Sequence, residues 1–186
     1  MQTSFELRWH GRGGQGAVTA AIIVAEAAIF DGKNAQAFPE FGAERRGAPV
    51  KAYTRVSERQ IFTRSPIIAP DMVVVLDTSI DKKIYFDGLK VGGTLLINSS
   101  KDRSELREKI ERKDIMVAKV DATHIAMDEL GAAIVNTAMV GALIKVVPLA
   151  KFDSVGEAIR ENFKSKIAES NVKAAGRAYN EVEVLS

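Results

Sequence analysis

Two hydrophobic periods alternate along the chain, one typical of strands and one typical of helices. Residues 4–10 (SFELRWH) alternate apolar and polar side chains, which is the pattern of a half-buried strand. Continuous apolar runs rich in β-branched residues follow, and these are typical of central strands that are covered on both faces. The predicted strands are residues 4–10, 34–38, 50–56, 71–77, 93–99 and 114–122.

Helical segments separate these strands and dominate the last third of the chain. Residues 17–30 are apolar except for Thr19 and Glu26, so this helix needs cover on more than one face, and Gly32 provides its C-terminal stop. The other predicted helices are residues 81–89, 104–112, 124–130, 133–147, 154–163 and 168–180. Strands that alternate with helices indicate an α/β sheet. We expect a single three-layer α/β/α domain over residues 1–186, with a mainly parallel or mixed sheet and a helical C-terminal third.

Composition excludes several classes of protein. The 186 residues include 26 basic and 24 acidic side chains, and a net charge of +2 does not predict binding to nucleic acid or to a membrane. There is no cysteine, so this chain can hold neither a disulfide nor an iron–sulfur cluster ligated by thiolates. The N-terminal segment lacks the features of a signal peptide, and no apolar run reaches the roughly 20 residues of a membrane span. We therefore expect a cytoplasmic protein.

A glycine-rich segment, HGRGGQGAVTAA at residues 10–21, lies between a predicted strand and a predicted helix. Gly11, Gly13, Gly14 and Gly16 fit the G-x-G-x-x-G spacing of a dinucleotide-binding loop. Free backbone amides and the helix dipole favour an anion at such a position. The alternative is that the glycines only permit a tight turn and close packing of the helix on the strand, which needs no ligand.

The second predicted strand disfavours a nicotinamide dinucleotide site. The dinucleotide fingerprint requires an acidic side chain about 20 residues downstream of the glycines, where it holds the ribose hydroxyls. The chain has Gln36 and Ala37 there, and Glu40 follows Pro39 in a predicted loop. The glycine spacing therefore does not by itself predict NAD binding.

The segment FPEFGAERRGAPV at residues 38–50 concentrates charge between glycines and prolines. Three interpretations are open on the residues alone. The charges can be solvated without a specific partner. Alternatively, Arg45 and Arg46 bind a carboxylate or a phosphate through their planar donors. In the third interpretation, Glu44 and the arginines pair across a subunit interface in which two phenylalanines are apolar anchors.

Four segments occur in order along the chain. They are GRGGQG after the first strand, FPEFGAERRGAPV after the first helix, TRSPIIAPDMVVVLD at residues 63–77 and NTAMVGALIK at residues 136–145. Together they resemble the gamma subunit of the 2-oxoacid:ferredoxin oxidoreductases, and the resemblance extends from Phe5 to about Lys145. It is strongest to the pyruvate and 2-ketoisovalerate branch, because Ala48 stands where the 2-oxoglutarate branch has a second glycine.

The resemblance implies a subunit of a complex that converts pyruvate, coenzyme A and oxidised ferredoxin to acetyl-CoA, CO2 and reduced ferredoxin. It implies thiamine diphosphate and Mg²⁺ on alpha and beta subunits and iron–sulfur clusters on a delta subunit. No cofactor or metal is expected on this chain alone, and its lack of cysteine agrees. The pairs Asp31-Gly32 and Asp87-Gly88 lack the leading glycine of a thiamine diphosphate signature. We expect no catalytic residue in this chain.

Two hypotheses follow for the glycine-rich and charged segments. In the first, the glycine loop and Arg12, with Arg45 or Arg46, meet the phosphates of coenzyme A. In the second, both segments dock onto the alpha subunit, and a neighbour partly covers the apolar helix at 17–30. The candidate contact residues for either role are Gly11, Arg12, Gly13, Gly14, Gln15, Gly16, Glu44, Arg45 and Arg46.

Two functions from other classes remain alternatives. The chain could be an independent Rossmann-type NAD(P) oxidoreductase, or a nucleotide-binding regulatory or scaffolding module. Its only histidines, His10 and His124, have no nearby nucleophile pattern that would indicate catalysis. Asp77 and Asp121 end central strands, where such residues either contact a ligand or cap the next helix.

Overall fold

A computed structural model of the chain describes residues 4–40, 47–63 and 65–185. These residues form seven strands and seven helices. The strands are β1 (Phe5–Arg12), β2 (Asn34–Pro39), β3 (Pro49–Ser57), β4 (Met72–Val75), β5 (Thr94–Asn98), β6 (Met116–Val120) and β7 (Glu183–Leu185). The helices are α1 (Ala17–Phe30), α2 (Lys82–Phe86), α3 (Arg103–Lys109), α4 (Ala122–Leu130), α5 (Asn136–Val146), α6 (Phe152–Asn162) and α7 (Ser165–Glu181).

All seven strands belong to one mixed sheet with the order β2-β3-β1-β4-β5-β6-β7. The central strands β1, β4, β5 and β6 are parallel. β3 is antiparallel to both of its neighbours, and β7 is antiparallel to β6. The two strands that follow β1 in the sequence, β2 and β3, lie on one side of it in the sheet. The strands from β4 onward lie on its other side. The carboxyl ends of β1 and β4 are therefore the point where the strand order reverses, which is where open α/β sheets bind ligands.

The sheet separates two hydrophobic cores, as the predicted three-layer α/β/α architecture requires. One core lies between the sheet and helices α1 and α4–α7, and it includes Trp9 and Met139. The other lies between β4–β6 and helices α2 and α3, and it includes Val75 and Leu95. Strands β4, β5 and β6 contribute side chains to both cores, which explains why their sequences are almost continuously apolar.

Helix α1 is apolar on all sides because its own chain surrounds it. Strands β2 and β3 contact it from one side, and helices α5 and α6 contact it from the other. Only Ile29 and Phe30, in its last turn, are exposed large apolar side chains. The indole N–H of Trp9 donates to Thr54 Oγ1, whose hydroxyl donates to the carbonyl of Ala21 in α1. A neighbouring subunit is therefore not needed to bury this helix.

The C-terminal helices pack closely through small residues. α5 and α7 approach at Gly141, where a Cβ atom would lie 1.9 Å from the carbonyl oxygen of Ala175. Nearby, the buried hydroxyl of Thr137 donates to Asn171 Oδ1 over 2.8 Å. None of the helices in the described ranges has the length and apolar character that a membrane span requires.

The structure differs from the sequence-based assignment at several boundaries, including those of α2, α3 and α7, and in one additional strand. β1 continues to Arg12 because it pairs with β3 up to Pro49, so the first two residues of the glycine motif are strand rather than loop. α5 begins at Asn136 instead of residue 133. β7 was not predicted, because three residues are too few to show a hydrophobic period.

The contact between α5 and α7 yields the first prediction. Gly141→Ala should destabilise the chain by roughly 2–3 kcal/mol, because the new methyl group meets backbone that can move only with its helix. Gly176→Ala is the matched control. Its Cβ would lie 3.5 Å from Phe152 Cζ, an ordinary contact, and alanine favours helix by about 1 kcal/mol. Urea unfolding measures both, and equal stabilities of the two variants would contradict the prediction.

Candidate functional site

The glycine loop begins at the end of β1 and leads directly into α1. The N-cap residue of α1 is Gly16, which has a φ of 79° and lies against α5. A Cβ atom there would lie 2.5 Å from Asn136 Nδ2, so only glycine permits both this backbone conformation and this approach. The first turn of α1 contains no acidic residue and has no side-chain cap. The helix start therefore has no side-chain cap and no negative charge of its own to compete with an external anion.

Backbone hydrogen bonds connect the glycine loop to the beginning of β3. The amide of Gly13 donates to the carbonyl of Ala48 over 2.9 Å, and the amide of Gly47 donates to the carbonyl of Gly13 over 3.3 Å. Gly47 directly follows Arg46 in the sequence. The candidate residues Glu44, Arg45 and Arg46 lie outside the described residues, but the residue after them contacts the glycine loop.

Gln15 connects the glycine loop to the connection after β4. Its Oε1 accepts from the amide of Arg12 over 2.7 Å, and its Nε2 donates to Asp77 Oδ2 over 2.8 Å. One amide side chain therefore holds both strand ends at the point where the strand order reverses. This role needs a donor and an acceptor on the same side chain, which glutamine supplies.

Arg12 makes a second connection across the same two strand ends. Its Nε and Nη2 donate to Ser79 Oγ over 3.0 and 2.8 Å, and its Nη1 donates to the carbonyl of Gly47 over 3.0 Å. Its Nε also lies 3.3 Å from Asp77 Oδ2. The guanidinium therefore binds its own chain on three sides and shapes the loop.

The carboxylate of Asp77 is kept ionised by these neighbours. Burial alone would raise its pKa, but hydrogen bonds from Ser79 and Gln15 and the charge of Arg12 together lower the pKa below its ordinary value. The amide of Ser79 donates to Asp77 Oδ1 over 2.8 Å. Asp77 therefore organises the loop that follows β4.

A cleft of about 580 Å³ opens beside the glycine loop, at the carboxyl ends of β4, β5 and β6. Asn98 connects two parts of its lining. Its Nδ2 donates to the carbonyl of Leu76 and to Thr123 Oγ1, each over 2.9 Å. Asp121 caps α4 by accepting from the amide of His124. The lining residues are Gln15, Leu76, Asp77, Thr78, Asn98, Ser99, Ser100, Lys101, Asp121, Thr123, His124, Ala133 and Val135.

The two histidines lie in different environments. His10 is buried in β1, where its Nε2 accepts from Arg8 Nε over 2.9 Å. Burial, followed by the charges of Arg8 and Lys51, lowers the pKa of His10 to about 3, so its imidazole is neutral. His124 is exposed on α4, with its Nε2 3.4 Å from Asp128 Oδ2. In the described ranges, no three carboxylate or histidine side chains come together as metal ligands.

The sheet order gives a physical reason against a nicotinamide dinucleotide site. In the dinucleotide fold the second strand lies beside the first and carries the acidic residue at its end. Here β3 separates β2 from β1. Glu40, the acidic residue nearest that position, accepts hydrogen bonds from Tyr53 Oη and from Lys51 Nζ. Its carboxylate is therefore already bound by neighbouring side chains.

Sequence reasoning located the glycine loop but missed several of its partners. Ser79 and Asn136 contact the loop from distant parts of the chain, and no local pattern marks either residue. Asp77, Asn98 and Asp121 carried a usable signal, since each is a polar residue at or just beyond the end of an apolar strand.

Comparisons with known proteins agree on one family. The family model described as pyruvate ferredoxin/flavodoxin oxidoreductase matches residues 6–181. The chain is 49% identical over 181 residues to the pyruvate/ketoisovalerate oxidoreductases common subunit gamma of Pyrococcus abyssi, covering 97% of this chain and 98% of that one. A crystal structure of the pyruvate oxidoreductase subunit PORC from Thermotoga maritima matches with a TM-score of 0.88 and 38% identity, and all of both chains is covered.

A larger protein contains the same fold. The chain matches 2-oxoglutarate:ferredoxin oxidoreductase from Magnetococcus marinus, solved with 2-oxoglutarate, coenzyme A and succinyl-CoA bound, with a TM-score of 0.79 and 16% identity. The match covers 97% of this chain and 31% of that protein. At this identity the likeness shows the fold alone.

The interactions of Asp77 yield the second prediction. Asp77→Asn should destabilise the chain by about 1–3 kcal/mol at neutral pH, because the amide loses the ion pair and the charged hydrogen bonds. The folded-state pKa of Asp77 is depressed, so its contribution is present above the ordinary carboxyl pKa and is lost as pH falls through the folded value.

Urea unfolding at pH 7 and near pH 3 tests this prediction. The difference between Asp77→Asn and the wild type should shrink at the lower pH, which is below the ordinary carboxyl pKa of the unfolded chain and closer to the depressed pKa of folded Asp77. Glu157→Gln, at an exposed position of α6, is the control and should match the wild type at both pH values. A stability difference that stays constant with pH would argue against an ionised Asp77 as the source.

Proposed function

The chain belongs to the pyruvate ferredoxin/flavodoxin oxidoreductase family as a gamma subunit, and we propose the reaction and partners of its complex. The complex converts pyruvate and coenzyme A to acetyl-CoA and CO2 and passes two electrons to ferredoxin. Alpha, beta and delta subunits complete it in the cytoplasm. The observation that supports this proposal is the near-complete match, at about half identity, to a subunit named for pyruvate and ketoisovalerate.

The donor groups of this chain argue that the redox cofactors belong to its partners. The sequence has no cysteine for an iron–sulfur cluster. Its two Asp-Gly pairs have other roles, since Asp31 accepts from Ser154 Oγ and the amide of Lys151, and the carbonyl of Asp87 accepts from Arg8. Thiamine diphosphate with Mg²⁺, when bound on partner subunits, supplies the carbanion chemistry of decarboxylation. The role that remains for the gamma subunit is to bind the other subunits and to position a substrate.

Coenzyme A is the anionic substrate that the glycine loop suits. The start of α1 has no side-chain cap and carries the positive end of the helix dipole, and Gln15 of the loop lines the cleft at the carboxyl edge of the sheet. Arg12 is held by Asp77 and Ser79, so its part in this proposal is to shape the loop. Arg45 and Arg46, which directly precede Gly47 in the sequence, supply the positive charge that meets the phosphates.

Docking of the same segments onto the alpha subunit is the second candidate for this site. Glu44 and the adjacent arginines offer charges of both signs, which suit an interface more than a phosphate. The two candidates differ in what they predict for the assembled enzyme. A coenzyme A site changes substrate affinity when the arginines are removed, whereas an interface changes assembly.

Coenzyme A binding yields the third prediction. In the assembled complex, Arg45→Ala, Arg46→Ala should weaken coenzyme A binding by about 100-fold or more, because charged hydrogen bonds to phosphate contribute roughly 1.5–3 kcal/mol each and both arginines are removed. The KM for coenzyme A should rise while the KM for pyruvate stays unchanged. Isothermal titration and steady-state ferredoxin reduction measure these quantities.

Arg112→Ala provides the control, since Arg112 pairs with Asp114 away from the glycine loop. Unchanged coenzyme A affinity in an intact double variant would overturn the coenzyme A site. Loss of the complex during gel filtration would instead favour docking onto the alpha subunit. Purification from native extract tests the wider proposal, which fails if thiamine-binding and cluster-bearing chains do not accompany this chain.

A further inference from the structure

On the face of the sheet that α2 and α3 cover at β4–β6, an irregular segment instead of a helix covers β1 and β3. Cross-strand pairing places Glu6 beside Arg55 and Arg8 beside Tyr53 on the face of β1 and β3 that points away from α1. Residues 58–63 and 65–69, as far as the structure describes this segment, contain no helix or strand, and the segment crosses this part of the face. The face is strongly polar, in contrast to the two apolar cores.

A buried arginine holds this irregular segment in place. Arg55 is only 3% exposed, and its Nε donates to Glu6 Oε1 over 2.7 Å. Its Nη1 and Nη2 donate to the carbonyls of Thr63 and Ser65, each over 3.2 Å. Charged hydrogen bonds of this kind are about twice as strong as neutral ones, so they hold the segment against the sheet.

The segment held by Arg55 presents apolar side chains to solvent. Phe62 is 81% exposed and Ile68 is 80% exposed, and Pro66 between them is also exposed. A flexible loop could turn such side chains inward, but this segment is fixed through its own carbonyl groups. Exposed apolar side chains on a segment that is held in place are suited to contact with another protein.

A groove of about 610 Å³ lies next to this surface. It is lined by residues 36–40 of β2 and its end, together with Tyr53 and Pro66. β2 is an edge strand, and none of its six residues (NAQAFP) is charged. Long edges without charged side chains are suited to pairing with another strand. The occupant that fits is therefore an extended peptide segment with an apolar side chain for the groove.

The charges beside β2 favour an acidic occupant. Lys51 and Lys33 are paired with Glu40 and Glu58 of the same chain. Ser57 pairs with Asn34 at the start of β2, and Arg59 follows two residues later. Arg59 is exposed and has no carboxylate oxygen within 4.0 Å among residues 4–40, 47–63 and 65–185. A carboxylate of a segment that lies along β2 would neutralise this charge.

We propose that an extended acidic segment of another subunit of the complex lies along β2. Its apolar side chain enters the groove between Phe38, Tyr53 and Pro66, and its carboxylates face Arg59. Phe62 and Ile68 extend the contact beyond the groove. The inference rests on the proposed function only in that the chain works as part of a hetero-oligomeric complex. It does not depend on the identity of the 2-oxoacid or on the coenzyme A site.

Photo-crosslinking in the assembled complex tests the proposal. Replacement of Phe62 by p-benzoylphenylalanine should crosslink the chain, on irradiation, to a peptide of a partner subunit that is rich in Asp and Glu. The same photoreactive residue in place of Met127, which is exposed on α4, is the matched control and should not reach that peptide. A crosslink from residue 62 to a second copy of this chain, to a segment without acidic residues, or to nothing would overturn the proposal.

Charge and apolar variants give an independent measurement on the same complex. Phe62→Asp, Ile68→Asp should weaken association with the partner subunit about tenfold or more, because both side chains lose an apolar contact and face like charge. Arg59→Glu should weaken association and reduce its salt dependence, whereas Met127→Gln should change neither. Unchanged association of the first two variants would overturn the proposal. An intact crosslinked complex without pyruvate-dependent ferredoxin reduction would instead contradict the proposed function alone.

Discussion

The ion pair between Arg12 and Asp77 joins the two halves of the sheet at the point where the chain changes direction. From β1 the chain leads into α1 and one half, and from β4 it leads into α2 and the other. The paired residues of β1 and β4 end at His10 and Val75, before these connections begin. Beyond the carboxyl ends of the two strands, side-chain contacts of Arg12 and Gln15 with Asp77 hold the connections together. The shape of the glycine loop and the adjacent wall of the cleft both depend on this small cluster.

Within the residues that the structure describes, the hydrophobic periods were sufficient to predict six of the seven strands and all seven helices, because each period is a local property of the chain. The order of the strands is not local. β3 enters between β2 and β1 as an antiparallel strand because it can pair with both, and neither sequence contains a sign of that choice. β7 depends on β6 as its partner, so its three residues carry no recognisable pattern by themselves.

The candidate site was predictable to the same extent. The glycines were visible because their spacing reflects backbone conformation, and the structure shows that Gly16 needs that conformation at the start of α1. Arg12 was recognised as a charge near the loop, but its contacts with Ser79 and Asp77 lie far along the chain and depend on the fold. Sequence reasoning can therefore identify a loop that suits an anion more readily than it can decide which charged side chains are free to meet one.

The two edges of the sheet differ in a way that limits how copies of this protein can associate. At the β7 edge, Glu183 pairs with Lys119, and Arg103 donates to the carbonyl of Val184. Charged edges whose carbonyl groups are already bound resist further strand pairing, whereas β2 offers six uncharged residues. Growth of a continuous sheet from chain to chain requires two receptive edges in every chain. With one receptive edge, strand addition ends after a single partner, so association through the sheet leads to a closed complex rather than a fibre.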